Sequence, residues 1–259
     1  MSKTIDVAAH GGRPVKADGE PAAWRDRKRY AWMLGLLVPT FPFGAWVLYA
    51  LTGSGVSWWY GPIVIFMIFP FIDTVAGLDG SNPPDSLLEA LENDKYYRRL
   101  TYLFLPIQYV SLVWACWMWA YGGLSTLDKT GLALTVAMVS GIAIAVAHEL
   151  GHKKPKLERW LAKIALAETF YGHFFIEHNR GHHVRVSTPE DPASSRMGES
   201  FWAFLPRTVA GSFRSAWALE SARFGRIGKS KWSLRNDLLN AWLMSAVLFA
   251  GLTLIFGVV

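Results

Sequence analysis

The sequence predicts an all-α fold, a polytopic transmembrane helical bundle of about five spans with a cytoplasmic histidine-rich region. Three observations support this prediction. Hydrophobic residues make up 52% of the 259 positions, and the mean hydropathy is positive, at +0.21. The apolar residues gather in runs of about 20, the length at which a helix crosses a bilayer. Six of the seven histidines fall between positions 148 and 183.

The apolar runs indicate spans at about 30–52, 57–78, 100–121, 130–149 and 238–259. Proline cannot donate the helical hydrogen bond, so the prolines in or beside the first three spans predict local kinks. The predicted organisation is a flexible cytoplasmic tail (1–29), a four-helix transmembrane bundle (30–149), a cytoplasmic or interfacial histidine-box region (150–235) and a fifth transmembrane span (236–259).

The predicted spans place the lysines and arginines very unevenly on the two sides of the membrane. The tail holds seven lysines and arginines, the loop at 79–99 three and the stretch at 150–235 fifteen, whereas Lys129 alone falls on the other side. The positive-inside rule therefore predicts a cytoplasmic N-terminus and a cytoplasmic histidine region. It also accounts for the net charge of +6, so nucleic-acid binding is not predicted.

The fourth span ends in AVAHELGHKKPK, and Pro155 is expected to end its helix. His148 and His152 are four residues apart, so on a helix they share a face and can bind one metal ion together. Glu149 is turned away from them by about 100 degrees. The next segment, LERWLAKIALAETFYGHFFIEHNRGHH (157–183), is expected to be a helix that lies partly in the membrane interface or against the bundle and is not a full span.

The last eleven residues of this segment, HFFIEHNRGHH, include four histidines. In a regular helix His173 and Glu177 share one face and His178 and His182 share another, with His183 rotated toward a neighbouring direction. Such a set can reach two metal ions. Imidazole suits iron, zinc, copper and nickel, so ligand type leaves the metal open.

A zinc site is the main alternative, because HELGH satisfies the H-E-x-x-H signature of zinc metalloproteases. In that hypothesis the aspartate of the LDG turn near residue 79 supplies a third ligand. Catalytic zinc needs only three protein ligands and would leave His178, His182 and His183 unused. These additional histidines favour a two-metal site over the zinc site of an intramembrane protease.

HELGHKK (148–154), YGHFFIEHNRGHH (171–183) and STPEDPASSRMGES (187–200) resemble the membrane-bound alkane 1-monooxygenases, within the histidine-rich di-iron hydroxylases and desaturases. The resemblance covers nearly the whole chain, including NPPD (82–85) and DKYYRRLTYL (94–103). Glu-His-Asn-Arg-Gly-His-His followed by Thr-Pro-Glu-Asp-Pro-Ala separates this family from desaturases, which share only the general histidine boxes.

The resemblance implies hydroxylation of medium-chain n-alkanes to primary alcohols in the bacterial inner membrane, with O2 and electrons from rubredoxin, which rubredoxin reductase supplies. It implies two iron ions and assigns as their ligands His148, His152, His173, His178, His182 and His183. Candidates to orient the imidazoles from behind are Glu149, Glu177 and Asp191. An unactivated methyl group offers general acids and bases nothing to act on, so an oxidising cofactor must supply the chemistry.

Members of that family continue well beyond residue 259, with a sixth span, an Asn-Tyr-x-Glu-His segment and an Arg-His-x-x-His-His box. These segments would supply the remaining iron ligands. The chain is therefore expected to correspond to the N-terminal two-thirds of such an enzyme and to lack the last ligands. The alternatives to a hydroxylase are the zinc metalloprotease and an inactive truncated fragment.

Overall fold

The computed structural model describes residues 26, 28–77 and 83–257. Within these ranges the chain forms helices and irregular segments and has no strand, which confirms the all-α prediction. The predicted tail up to residue 25, the LDG turn and the last two residues of the fifth span lie outside the described residues.

Five helical stretches of the described chain are long and apolar enough to cross a membrane, which confirms the predicted number of spans: Ala31–Thr52, Gly55–Ala76, Lys95–Tyr121, Thr126–Gly151 and Asp237–Phe256. The most apolar window of each stretch is only 17% to 39% buried inside the protein. Apolar side chains therefore face outward along every span, as contact with lipid requires.

The chain divides into two compact units, residues 1–139 and 140–259. The helices that begin in the first unit are a 3-10 helix Ala31–Thr40, α1 (Phe41–Thr52), a 3-10 helix Gly55–Trp59, α2 (Tyr60–Ile63), a π-helix Val64–Ile68, α3 (Phe69–Ala76), a 3-10 helix Asp85–Leu87, α4 (Leu88–Asn93), α5 (Lys95–Tyr121) and α6 (Thr126–Gly151). The last of these, α6, continues into the second unit.

Two of the spans change their hydrogen-bonding type beside a proline. The first changes from a 3-10 helix to α1 between Pro39 and Pro42, and the second changes from a π-helix to α3 just before Pro70. Proline has no N–H to donate, so a change of helix type there costs little. In contrast, α5 continues past Pro106 without a change of type.

The first unit is held together by close apolar packing. Its buried cluster consists of Ala45, Trp58, Ala115, Met118 and Leu132. The Gly61 N–H donates to the Thr135 hydroxyl over 3.0 Å, and that hydroxyl donates to the Trp58 carbonyl over 2.8 Å. A Cβ at position 61 would lie 2.7 Å from the Thr135 Cα. Glycine therefore lets two spans approach closely, as small residues do in membrane helix pairs.

The helices of the second unit that follow α6 are α7 (Lys156–Ala167), α8 (His173–Glu177), a π-helix His178–His182, α9 (His183–Arg185), α10 (Phe201–Arg226) and α11 (Asp237–Phe256). α6 ends at Gly151, before the predicted end at Pro155, which instead precedes the first residue of α7. The segment from 156 to 183 is not one regular helix, because Phe170 adopts a left-handed backbone (φ 54°) between α7 and α8.

Candidate metal centre

Four imidazoles converge in the second unit. His148 lies in the last turn of α6 and His152 directly follows that helix, whereas His178 begins the π-helical turn and His183 directly follows it. The Nε2 atom of His152 is 3.1 Å from that of His148 and 3.1 Å from that of His178. The Nε2 atom of His183 is 3.0 Å from that of His178 and 3.4 Å from that of His152. All four ligand atoms lie within 4.8 Å of one another, which suits a single metal ion.

The π-helical turn determines which histidine joins the group. The N–H of His183 donates to the carbonyl of His178, five residues earlier, whereas an α-helix would pair residues four apart. Residues at i and i+5 therefore share a face, so the Nε2 of His183 joins that of His178 in the group. The His182 ring stacks on that of His178, with centroids 5.5 Å apart, but its nitrogen atoms are not part of the group. The α-helical spacing used in the sequence analysis favoured His182 for that position, and the wider turn explains the difference.

His182 lies outside the four-imidazole group and contacts the loop after the histidine segment. Its Nδ1 is 2.8 Å from the Asp191 carboxylate, which also accepts the Ser194 hydroxyl over 2.6 Å and the Ala193 N–H over 3.0 Å. Burial alone would raise the pKa of the Asp191 carboxyl, but the hydrogen bonds from Ser194, Ala193 and His182 lower it below its usual value. The charged carboxylate can therefore fix the tautomer and orientation of the ring.

His173 also lies outside the group. Its ring is buried beside Tyr171 and Phe213, at centroid distances of 4.3 and 6.0 Å, and burial lowers its pKa to about 4. Its Nε2 has no hydrogen-bond partner among the described residues. A neutral imidazole with an unpaired buried nitrogen is unusual in a folded protein and is free to accept a ligand.

The two glutamates predicted to orient imidazoles have arginine or lysine partners. Glu177 is buried and accepts from Arg185 over 2.8 Å, and burial raises its pKa. A Cβ at Gly181 would lie 2.4 Å from a Glu177 oxygen, so glycine makes room for this carboxylate within the histidine segment. Glu149 is more exposed and forms an ion pair with Lys153 over 2.8 Å.

The electrostatics of the group suit a cation. Burial and, after it, repulsion from the neighbouring histidines lower the pKa of His178 to about 4. Burial and His148 likewise lower the pKa of His152. Neutral imidazoles present lone pairs, which is the form in which histidine binds metal. Nitrogen donors suit iron, zinc, copper and nickel. The protease hypothesis uses only the two histidines of HELGH, His148 and His152. The observed group contains two more, His178 and His183.

Two residues with contacts in this region, Phe174 and Arg207, were not among the predicted site residues. Phe174 stacks on the ring of His178, with centroids 4.8 Å apart. Arg207 binds Glu199 with two hydrogen bonds of 2.6 Å and reaches the carbonyls of Pro192 (3.2 Å) and Ser194 (2.9 Å). It therefore organises the loop that presents Asp191. Phe174 and His178 have the i, i+4 spacing of a helix, which could have predicted their contact, whereas the contacts of Arg207 have no periodic signal in the sequence.

The helices and this site together define a class, that of polytopic helical membrane proteins with a histidine-rich metal site. Residues 129–259 match the fatty acid desaturase family, and the chain belongs to that family.

Comparison with individual proteins shows similarity to several monooxygenases. The chain is 45% identical over 246 residues to alkane 1-monooxygenase 1 of Alcanivorax borkumensis, covering 94% of this chain and 60% of that protein. It is 43% identical over 247 residues to alkane 1-monooxygenase of Pseudomonas putida, covering 95% and 61%. It is 33% identical over 113 residues to the xylene/toluene monooxygenase hydroxylase component of Pseudomonas putida, covering 42% and 30%. These matches confirm the resemblance to alkane 1-monooxygenases. The chain spans about 60% of the length of the first two relatives.

Proposed function

We propose that the whole protein is a rubredoxin-dependent alkane 1-monooxygenase that converts medium-chain n-alkanes to primary alcohols at a histidine-ligated di-iron centre. The observation that carries this proposal is the four-imidazole group, in a chain whose relatives at 43% to 45% identity are named alkane 1-monooxygenases. The zinc protease hypothesis accounts for neither the relatives nor the histidines beyond HELGH.

The described residues offer ligands for more than one ion. We assign His148, His152, His178 and His183 to one iron, because their nitrogen atoms already converge. His182 is the proposed ligand of a second iron, because Asp191 holds its Nδ1 and leaves Nε2 available. His173 is proposed as a further ligand on the ground of its unpaired buried nitrogen. When bound, the iron pair would supply dioxygen activation, with one oxygen atom entering the C–H bond and the other leaving as water.

The protein's own residues keep the imidazoles neutral and oriented, and they provide an apolar surface beside them. Burial keeps His178 unprotonated, and the Asp191 carboxylate fixes the His182 ring. Phe174 lies against His178 and can support a methyl group that makes no hydrogen bonds.

The surroundings proposed for the site follow from the spans and the charges. Five apolar stretches support a multi-pass membrane protein, and we propose the bacterial inner membrane, where alkanes dissolve in the bilayer. The basic residues favour a cytoplasmic N-terminus and a cytoplasmic site. A cytoplasmic site is accessible to soluble rubredoxin and, upstream of it, rubredoxin reductase, which we propose as the electron-transfer partners.

The test is to assay the whole protein in membranes for octane oxidation, with rubredoxin, its reductase and NADH, and to measure bound metals. We expect 1-octanol and iron. His178→Ala and His183→Ala should each abolish product formation, whereas His10→Ala, a matched substitution in the polar tail, should retain it. Bound zinc with peptidase activity would contradict the proposal, as would an inactive whole protein that binds iron.

A further inference from the structure

Arg180 lies at the centre of the π-helical turn, between two of the proposed iron ligands, and its side chain contacts two distant helices. One guanidinium nitrogen donates to Glu220 of α10, and the other donates to Asp237 of α11 over 2.9 Å. The guanidinium therefore bridges two carboxylates that lie 40 and 57 residues away in the sequence. No other residue of the turn has such contacts among the described residues.

Both carboxylates are themselves held in place. Glu220 is fully buried, accepts two hydrogen bonds of 2.7 and 2.6 Å from Arg223, and accepts the Asp237 N–H over 2.9 Å. Asp237 also accepts from Lys163 of α7 over 3.0 Å, and the Lys163 side chain is only 4% exposed. The turn is thus tied to α7, α10 and α11 by a partly buried network of charges, in which Glu220 and Lys163 are the buried members.

A network of this kind fixes the arrangement of its side chains more than it adds to the free energy of unfolding. Taking charges out of water costs several kcal/mol per ion, so buried ion pairs are often close to neutral in stability, while their directional hydrogen bonds restrict the arrangement. A π-helical turn is rare because α-helical hydrogen bonding competes with it at the same residues. A fixed anchor in the middle of the turn can decide between the two.

We propose that Arg180, held by Glu220 and Asp237, is a positioning residue that keeps the His178–His182 turn π-helical and so places His183 beside His178. Without this anchor the turn relaxes to an α-helix, His183 rotates away, and the four-imidazole group loses one ligand. The inference rests on the proposed metal site but is independent of which metal and which substrate the protein takes.

The first test is cobalt binding by the whole protein in detergent micelles, followed by visible absorption, with circular dichroism as a check of folding. Arg180→Gln and Glu220→Gln should each weaken cobalt binding by at least about tenfold, the usual scale for residues that orient metal ligands. Arg180→Lys keeps the charge but cannot bridge both carboxylates, so its loss should be intermediate. Arg214→Gln, an exposed arginine of α10, is the matched control and should stay within about twofold.

The second test separates positioning from general stability with double-mutant cycles. If Arg180 acts through His183, adding His183→Ala to Arg180→Gln should weaken cobalt binding by less than about twofold further, because that ligand is already lost. Adding His148→Ala should still cost at least about tenfold, because His148 is independent of the turn. A merely structural role would make both histidine substitutions equally costly in both backgrounds.

The outcomes are distinguishable from failure of the proposed function. Wild-type protein that binds no cobalt would overturn the metal centre and this inference with it. Wild-type binding together with unchanged affinity in Arg180→Gln, or with a full additive cost for His183→Ala, would overturn this inference alone. If Arg180→Gln does not fold, Glu220→Gln, which preserves the side-chain shape, takes its place in the same cycles.

Discussion

The two compact units bury different kinds of side chain. In the first unit, the core is a cluster of tryptophan, methionine, leucine and alanine, with hydroxyl and amide contacts between spans and one buried arginine, Arg29, paired with Asp94 over 2.8 Å among the described residues. In the second unit, the buried groups include Lys163, Asp191 and Glu220, each with charged or polar partners. Apolar packing is non-directional, whereas ion pairs and hydrogen bonds fix direction. The second unit therefore has the means to aim imidazoles, and the first has the means to pack spans.

Removing the largest buried side chain of the first unit tests this comparison most strongly. Trp58→Ala should lower the free energy of unfolding by about 4 kcal/mol, through lost burial and the cavity left behind. Denaturant titration followed by circular dichroism measures it, and Trp46→Ala, a more exposed tryptophan of the same unit, is the control. Cobalt affinity of the still-folded Trp58→Ala protein should be unchanged. An equal loss from Trp46→Ala would remove the distinction between packed and lipid-facing tryptophans.

In the second unit, an uncharged replacement of a buried lysine should cost slightly less. Lys163→Met should lower the free energy of unfolding by about 3 kcal/mol, because it leaves Asp237 with one fewer partner in a buried site. The same titration measures it, with the exposed Lys229→Met as control. A neutral or stabilising result would mean that apolar packing suffices in this unit as well.

The effect of the carboxylate behind His182 should appear in metal binding. Asp191→Asn retains the shape of the side chain but removes the charge that orients the ring, so we expect metal affinity to fall about tenfold, or about 1.4 kcal/mol. Metal titration of the whole protein measures the loss, and Glu190→Gln, the neighbouring exposed acid, is the control. Unchanged affinity would show that the His182 orientation does not depend on this charge.

The smallest expected effect concerns pH. Hydrogen bonds from Arg207 lower the pKa of Glu199 to about 2 from 4.5. A lowered folded-state pKa stabilises the protein fully above about pH 4.5, and this contribution is lost as the pH falls toward about 2. The thermal midpoint of wild type should therefore exceed that of Glu199→Gln at pH 6, with the gap narrowing at pH 3. A constant gap would show that the ion pair does not contribute in this way.

The sequence was sufficient for the spans and for the first histidine pair, because both follow from local periodicity. An apolar run of about 20 residues identifies a span, and His148 and His152 meet because four residues make about one helical turn. The π-helical turn could not be predicted, because nothing in HNRGH distinguishes it from an α-helix by period. The contacts of Arg180 could not be predicted from the sequence either, because its partners Glu220 and Asp237 lie on helices far along the chain.

The π-helical turn acts on the chain as a one-residue insertion in an otherwise regular helix. Residues after it are rotated by about 100 degrees from where uninterrupted counting would place them. Two adjacent histidines therefore have different contacts. His182 forms a hydrogen bond with Asp191, and His183 belongs to the four-imidazole group. A single-residue insertion between His178 and His182 would move His182 to the i+5 position and so reverse that assignment without removing any histidine. Comparison of related sequences by composition alone would not detect such a change, so the spacing of this segment carries as much information as its residues.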